Sequence, residues 1–110
     1  MIFVTGPLYA GKREYIRNAL QLSEADFSAR AVCDVQALAP GADLPALADE
    51  LSRKDIVIAT ELGGGLVPVD RSERENREAA GRLACLLAER ADTVVRVCCG
   101  LGQILKGELP

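Results

Sequence analysis

A stretch near the start of the chain has the residue types and spacing of a phosphate-binding loop. Its candidate binding residues are Gly6, Pro7, Leu8, Tyr9, Ala10, Gly11, Lys12 and Arg13, which follow the pattern G-x-x-x-x-G-K. Glycines let the backbone curl so that successive N–H groups converge on a phosphate, and Lys12 adds a full positive charge. The strict motif has Ser or Thr next to ligate Mg²⁺, a role that the guanidinium of Arg13 cannot take. An ordinary strand-to-helix turn is the alternative interpretation.

A carboxylate stands at a second point where chemistry is expected. Glu61 comes directly after the apolar segment Asp55–Thr60, and the glycine-rich stretch Gly63–Pro68 follows it with the composition of a loop. Ligands of parallel α/β sheets bind beyond the carboxyl ends of the strands. We therefore expect Glu61 to share one edge of a sheet with the first loop and to face a metal or act as a base. A helix cap or a surface acid is the alternative.

Three arginines are spaced three residues apart farther along the chain, at Arg71, Arg74 and Arg77. Side chains at this spacing drift slowly around a helix, so all three could face one groove that holds a polyphosphate. The charge pattern fits equally well a solvated face of ion pairs, Arg71 with Glu75 and Arg74 with Glu78.

Composition excludes several classes of function. The chain has no histidine, so catalysis by Ser-His or Cys-His pairs is excluded. Its four cysteines show no Cys-x-x-Cys spacing and are interpreted as small buried thiols of a cytoplasmic protein. A net charge of −3 argues against a nucleic-acid or anionic-membrane surface. We expect neither a membrane span nor a signal peptide, because no apolar run approaches the length of a span and Met1–Thr5 lacks a basic start and a long apolar stretch.

The order of the predicted elements indicates one α/β domain over the whole 110 residues. Apolar, β-branched runs predict strands, and the segments between them have helical periodicity or helix-start signals, including Pro45 and the Asp70/Glu73 capping box. Residues Gly100–Gly102 are expected to turn the chain into a short tail. Alternating strands and helices predict a small, mainly parallel sheet of about four to five strands with helices on both faces. The predicted strands are Met1–Thr5, Arg30–Asp34, Asp55–Thr60 and Thr93–Cys98, and the predicted helices start at Gly11, at Asp43 or Leu44 (to about Arg53) and at Asp70 (to about Arg90).

Residues 60–106 carry a family resemblance that has no gap in its register. The matching residues are Glu61, Gly63, Gly65, Val67, Pro68, Arg71, Arg74, Arg77, Gly81, Leu87, Ala88, Ala91, Asp92, Val94, Gly100 and Lys106. This part resembles the C-terminal half of the adenosylcobinamide kinase/adenosylcobinamide-phosphate guanylyltransferase family, and the opening Val-Thr-Gly-x-x-x-x-Gly-Lys matches the start of that family. Cys33-Asp34 resembles the end of its second core strand, with Asp34 as the acidic residue.

The resemblance implies a P-loop NTPase-like fold, a homo-oligomer, and cobalamin biosynthesis in the cytoplasm with ATP or GTP, Mg²⁺ and a corrinoid substrate. It further implies Lys12, Asp34 and Glu61 as catalytic residues and Asp34 and Glu61 as metal ligands. The positive mean hydropathy of +0.12 also indicates apolar surface buried against another subunit.

Departures from the family pattern leave two hypotheses open. The chain lacks the segment that relatives carry between Leu20 and Arg30, together with the histidine that holds GMP covalently. Arg13 stands where the family has Ser or Thr, and Thr60 where it has Asn. The first hypothesis is a reduced kinase that keeps phosphoryl transfer. The second is a catalytically inactive nucleotide-binding oligomer with a regulatory or scaffolding role.

Overall fold

Five strands form one sheet in the computed structural model, which describes residues 1–62 and 70–110. The sheet order is β2-β3-β1-β4-β5. Neighbours among the first four are parallel, and β5 runs antiparallel to β4. This confirms the mainly parallel α/β sheet that the sequence predicts. The strands are β1 (Ile2–Gly6), β2 (Ala31–Val32), β3 (Ile56–Thr60), β4 (Thr93–Cys98) and β5 (Leu101–Lys106).

Three of the helices begin at polar residues whose side chains accept hydrogen bonds from the first turn. Ser23 caps the second helix, Asp43 the third and Asp70 the fourth, each satisfying an amide that the helix itself leaves without a partner. A short 3₁₀ turn, Val35–Leu38, precedes the third helix. The helices are α1 (Lys12–Ala19), α2 (Glu24–Arg30), α3 (Leu44–Leu51) and α4 (Arg71–Arg90).

The sheet carries a separate apolar layer on each face, because successive side chains of a strand point to opposite sides. Helices α1 and α2 bury Ile16 and Phe27 against one face, and α3 and α4 bury Leu51, Leu83 and Leu87 against the other. Strand β3 is buried along its whole length, as expected for a strand covered on both sides. The predicted placement of helices on both faces is thereby confirmed.

Two elements differ from the sequence-based expectation. Residues 101–106 form the antiparallel strand β5 rather than a tail, because Cys99 (φ 53°) and Gly100 (φ 73°) adopt the left-handed conformations of a tight hairpin turn. All six residues of β5 are exposed, so no burial pattern in the sequence marked the strand. The helix α2 was missed as well, and the strand predicted over Arg30–Asp34 is reduced to Ala31–Val32.

The cysteines are free thiols but are less buried than expected. Cys85 and Cys99 are exposed, and Cys33 and Cys98 are partly exposed. The buried-thiol interpretation was therefore wrong, because these residues lie on the outer side of α4 and at strand ends rather than in either core. Among the described helices, none combines the length and the apolar character that crossing a bilayer requires. The predicted glycine-rich loop Gly63–Pro68 lies outside the described residues.

Candidate phosphate-binding site

The loop between β1 and α1 has a backbone that only particular residues permit. A Cβ on Gly6 (φ 155°) would lie 2.2 Å from the backbone oxygen of Val97 on the adjacent strand β4, so this position requires glycine. Tyr9 (φ 60°) and Gly11 (φ 83°) adopt left-handed conformations. Gly11 occupies the N-cap of α1 with no side-chain hydrogen bond. Gly11 therefore leaves the amides of the first helical turn without a side-chain cap, which is the condition for an anion to bind at a helix N-terminus.

Lys12, the first residue of α1, folds its side chain back into the loop. Its Nζ donates a hydrogen bond of 2.7 Å to the carbonyl oxygen of Pro7, and the residue is only 8% exposed. Burial lowers the pKa of Lys12, and the negative charges of Asp34 and Glu61 partly oppose this effect. The ammonium is thus a largely desolvated positive charge with a neutral acceptor, a state that a phosphate ligand improves.

A cavity of about 360 Å³ lies beside this loop and brings Lys12 and Asp34 together. Asp34 follows β2 and adopts a left-handed conformation (φ 56°), and its carboxylate is exposed to solvent. Burial raises the pKa of the neighbouring Cys33 thiol, which disfavours the reactive thiolate. The cavity therefore offers two cations, Lys12 and Arg13, and two acids, Glu14 and Asp34, and the pKa of its thiol is raised. Its lining residues are Leu8, Tyr9, Ala10, Gly11, Lys12, Arg13, Glu14, Cys33, Asp34, Ile58 and Thr60.

Glu61 lies at the same edge of the sheet, but its carboxylate has a partner of its own. Its backbone N–H donates to the carbonyl of Gly6 at 2.8 Å, which fixes the end of β3 against the first residue of the loop. Its two carboxylate oxygens accept three hydrogen bonds from Arg96 on β4, from Nε at 2.8 and 3.3 Å and from Nη2 at 2.9 Å. This is the bidentate geometry that guanidinium groups form with carboxylates. The pair raises the pKa of Arg96 above its already high value.

The three arginines of α4 do not form one cluster. Arg71 pairs with Glu75 at 3.0 Å and is exposed to solvent, as in a solvated ion pair of a helix surface. Arg74 is also exposed. Arg77 lines a second cavity of about 290 Å³ between the sheet and α4, together with Glu61 and Thr60. Only Arg77 therefore reaches the edge at which the loop lies, while the predicted pairing of Arg71 with Glu75 is confirmed.

The charge pattern of α4 contains one further difference from the sequence-based expectation. Glu78 accepts a hydrogen bond of 2.8 Å from Arg82, whereas the ion-pair alternative drawn from the sequence paired it with Arg74. Both arginines lie four residues from Glu78 along the helix, so spacing alone did not distinguish them.

The donor set does not fit the magnesium ion that the family resemblance implied. Mg²⁺ requires oxygen ligands in a regular octahedron, usually with a hydroxyl and a carboxylate from the protein. Arg13 supplies no oxygen, and its guanidinium lies over the Phe27 ring at 5.4 Å from the ring centre. Both oxygens of Glu61 are hydrogen-bonded to Arg96. Within residues 1–62 and 70–110, no group of three acidic or cysteine side chains is arranged to hold a metal.

The turn between β4 and β5 contacts the loop from the other side. The N–H of Gly100 donates to the carbonyl of Ala10 at 2.8 Å, and Gly102 packs so closely against the Tyr15 ring that a Cβ there would lie 2.1 Å from a ring carbon. The hairpin thus holds both the loop and the first helix.

Two functional residues were missed by the sequence analysis. Gln36, on the 3₁₀ turn, accepts a 2.9 Å hydrogen bond from the backbone N–H of Thr60, while its Nε2 lies 3.5 Å from a carboxylate oxygen of Asp34. Nothing in the local sequence marked this bridge. Arg96 did carry a signal, because a charged residue within the run Thr-Val-Val-Arg-Val-Cys needs an acidic partner if its strand is covered on both faces.

Comparison with known families gives one match. The model of the cobinamide kinase/cobinamide phosphate guanyltransferase family matches residues 19–105 of the 110-residue chain. The chain belongs to this family. Membership supports a kinase- or guanylyltransferase-like role in cobalamin biosynthesis and the use of nucleotides, on a P-loop NTPase-like fold. The match begins after Lys12, so the phosphate-binding interpretation of the loop depends on its own spacing and geometry. No curated protein matches the sequence.

Proposed function

We propose that this member of the cobinamide kinase/guanyltransferase family binds ATP or GTP by its phosphates on residues 6–12 and acts as a nucleotide-binding protein. The observation that carries this proposal is the position of Lys12, a nearly buried ammonium inside a glycine loop at the start of a helix. The positive end of the helix dipole and the lysine charge act on the same point. The adjoining cavity of about 360 Å³ has the size of a ligand pocket, and pockets typically range from about 300 to 1,000 Å³.

Guanylyl transfer through a histidine intermediate has no residue to support it in this chain. The sequence contains no histidine, and burial raises the pKa of Cys33, a thiol that lines the cavity beside the loop. A nucleophile must be activated by a lowered pKa or by an adjacent base. We therefore expect no covalent nucleotide–protein intermediate, which mass spectrometry of the chain after incubation with GTP would detect as an added GMP mass.

Phosphoryl transfer to a corrinoid hydroxyl is the second candidate, and the position of Asp34 beside Lys12 favours it. In that reaction the bond between the γ-phosphorus of ATP and its bridging oxygen breaks while a bond to the acceptor oxygen forms. The acceptor loses its proton to a base such as Asp34, and ADP leaves. With Glu61 engaged by Arg96 and Arg13 directed to Phe27, we expect binding without this turnover.

Calorimetric titration of ATP and GTP into three forms of the protein tests the binding proposal. The forms are the wild type, Lys12→Met and Lys54→Met, the last removing an exposed lysine of a turn remote from the loop. We expect binding to the wild type and to Lys54→Met, and weaker binding to Lys12→Met. Absence of binding to the wild type, or equal binding to all three, would remove the proposal.

A coupled assay for ADP release separates the two candidates. ATP and adenosylcobinamide are supplied together, with the Lys12→Met protein as the blank. ADP release that needs both the corrinoid and Lys12 would establish the kinase and overturn the binding-only role. Release no faster than the blank, together with measurable nucleotide affinity, supports the binding-only role.

We also propose that copies of this chain associate. The edge strand β5 exposes Leu101 (75%), Ile104 (46%) and Leu105 (55%), and exposed apolar edge strands are templates for pairing with another chain. We expect a mass above that of one chain in light scattering. Leu101→Asp is expected to reduce it, and a wild-type mass of 11.7 kDa at all concentrations would contradict the proposal.

A further inference from the structure

Glu61 is fixed beside the loop by a hydrogen bond of its backbone and by hydrogen bonds of its carboxylate. Its backbone N–H donates to the carbonyl oxygen of Gly6 at 2.8 Å, which keeps Glu61 next to the first residue of the loop. Its negative charge acts on the ammonium of Lys12. Without a counter-charge, this carboxylate would repel a phosphate that binds at Lys12. In sites that use a divalent cation, that cation supplies the counter-charge.

In this chain a guanidinium supplies it. Arg96 directs Nε and Nη2 at the two oxygens of Glu61 and makes three hydrogen bonds of 2.8 to 3.3 Å. The fork uses both carboxylate oxygens at once, so a cation that binds there would have to share them with a guanidinium of the same charge. Guanidinium groups stay charged at all physiological pH values, and therefore the neutralisation is permanent.

Arg13, which stands where the family has a hydroxyl ligand, also contacts another group, the ring of Phe27. The guanidinium of Arg13 lies over Phe27 at 5.4 Å, a contact between α1 and α2, and Arg13 itself offers no oxygen ligand. The acids that line the cavity itself are Asp34 and Glu14. In the described part of the chain no three acidic or cysteine side chains are arranged to hold a metal, so the cavity is a poor site for a hydrated divalent cation.

We propose that Arg96 replaces a divalent cation as the counter-charge to Glu61, so that this site binds nucleotide phosphates without Mg²⁺. The inference deepens the nucleotide-binding function proposed above and depends on it. Arg96 is a positioning residue: it holds Glu61 away from the ligand and neutralises it. The chemical class of the ligand follows, namely a free nucleotide polyphosphate rather than its magnesium complex.

Titration of ADP in EDTA and in Mg²⁺ tests the inference on wild type, Arg96→Met and Glu61→Gln. We expect the wild type to bind ADP at least as tightly in EDTA as in Mg²⁺. Arg96→Met exposes the carboxylate of Glu61 and is expected to weaken binding in EDTA by about three- to tenfold, with recovery in Mg²⁺. Glu61→Gln leaves Arg96 as an additional cation and is expected to strengthen binding in EDTA. The control is Arg82→Met, which breaks the exposed pair with Glu78 on α4 and should change neither affinity.

The double variant Arg96→Met/Glu61→Gln distinguishes a charge effect from damage to the fold. With both charges removed, ADP affinity in EDTA should return to within about threefold of the wild type, whereas a structural defect would persist. Wild-type binding that is tenfold tighter in Mg²⁺ than in EDTA would overturn the inference and leave the nucleotide proposal standing. Arg96→Met binding that equals the wild type in EDTA would do the same. Absence of ADP binding in both buffers would overturn the nucleotide proposal and this inference with it.

Discussion

Replacement of Lys12 by methionine separates the role of its charge in binding from its effect on stability. The side chain is nearly buried and its ammonium has the Pro7 carbonyl as hydrogen-bond partner. Methionine keeps an unbranched chain of similar volume and removes the charge. We expect the variant to bind ATP more weakly and to unfold at a higher temperature. The buried charge attracts the phosphate of the ligand, but it lowers the stability of the free protein.

The loss of affinity follows from an exchange of hydrogen-bond partners. A hydrogen bond that involves a charged group contributes about 1.5–3 kcal/mol. Lys12 donates such a bond to either the Pro7 carbonyl or a phosphate, and only the phosphate adds the attraction between opposite charges. Because the free protein already satisfies Lys12 with the Pro7 carbonyl at 2.7 Å, phosphate binding gains only the difference. That difference is about 1–2 kcal/mol, which corresponds to an increase in Kd of about five- to thirtyfold.

The size of the stability change depends on pH. Burial lowers the pKa of Lys12 in the folded protein, so below its ordinary value the unfolded chain binds more protons than the folded one. The free energy of unfolding of the wild type should therefore rise as the pH rises through the interval between the two pKa values. Lys12→Met lacks this proton. Its advantage, expected to be about 0.5–1 kcal/mol at neutral pH, should shrink across the same alkaline interval.

Calorimetric ATP titration and urea unfolding at pH 7 and at alkaline pH measure these effects, with Lys54→Met as the exposed control. A Lys12→Met protein that is less stable than the wild type at pH 7 would refute the argument that the ammonium is desolvated at a net cost. Unchanged ATP affinity would refute its role as the phosphate partner. A stability difference that stays constant with pH would show that the lysine is not the titrating group.

Two further substitutions test how the site and its support are built. Gly6→Ala places a methyl group 2.2 Å from the backbone oxygen of Val97 and should lower the free energy of unfolding by more than about 2 kcal/mol. Its control, Gly81→Ala, lies at a helical position with open space and should raise the free energy of unfolding by about 0.5–1 kcal/mol. Equal effects of the two substitutions in urea unfolding would contradict the clash at Gly6. Leu87→Ala removes a fully buried side chain under α4 and should cost about 2–5 kcal/mol, whereas Leu38→Ala, half exposed, should cost less than about 1 kcal/mol.

The elements with strong local signals were predictable from the sequence. The three buried strands β1, β3 and β4 are continuous apolar runs. Asp43 and Asp70 are polar residues that cap α3 and α4. These signals are local, because each depends on neighbours within a few positions. The loop at residues 6–12 was predictable for the same reason.

The partners of the site's charges were not predictable from the sequence. Glu61 and Arg96 are 35 positions apart, and only the strand order β3-β1-β4 brings them to one edge. The spacing rules applied to α4 likewise left the partner of Glu78 undetermined. Strand β5 was missed because an exposed edge strand lacks the alternation of apolar and polar residues that burial imposes.

The amide of Gly100 in the hairpin turn donates a hydrogen bond to the carbonyl of Ala10, so its hydrogen exchange reports on motion of the loop. When the loop opens, this amide loses its acceptor and exchanges its hydrogen with solvent deuterium. Ligand binding that holds the loop closed should slow that exchange, although Gly100 lies in the turn between β4 and β5 and not in the loop itself. Spectroscopy of a single backbone amide can therefore follow the loop without a label placed on it.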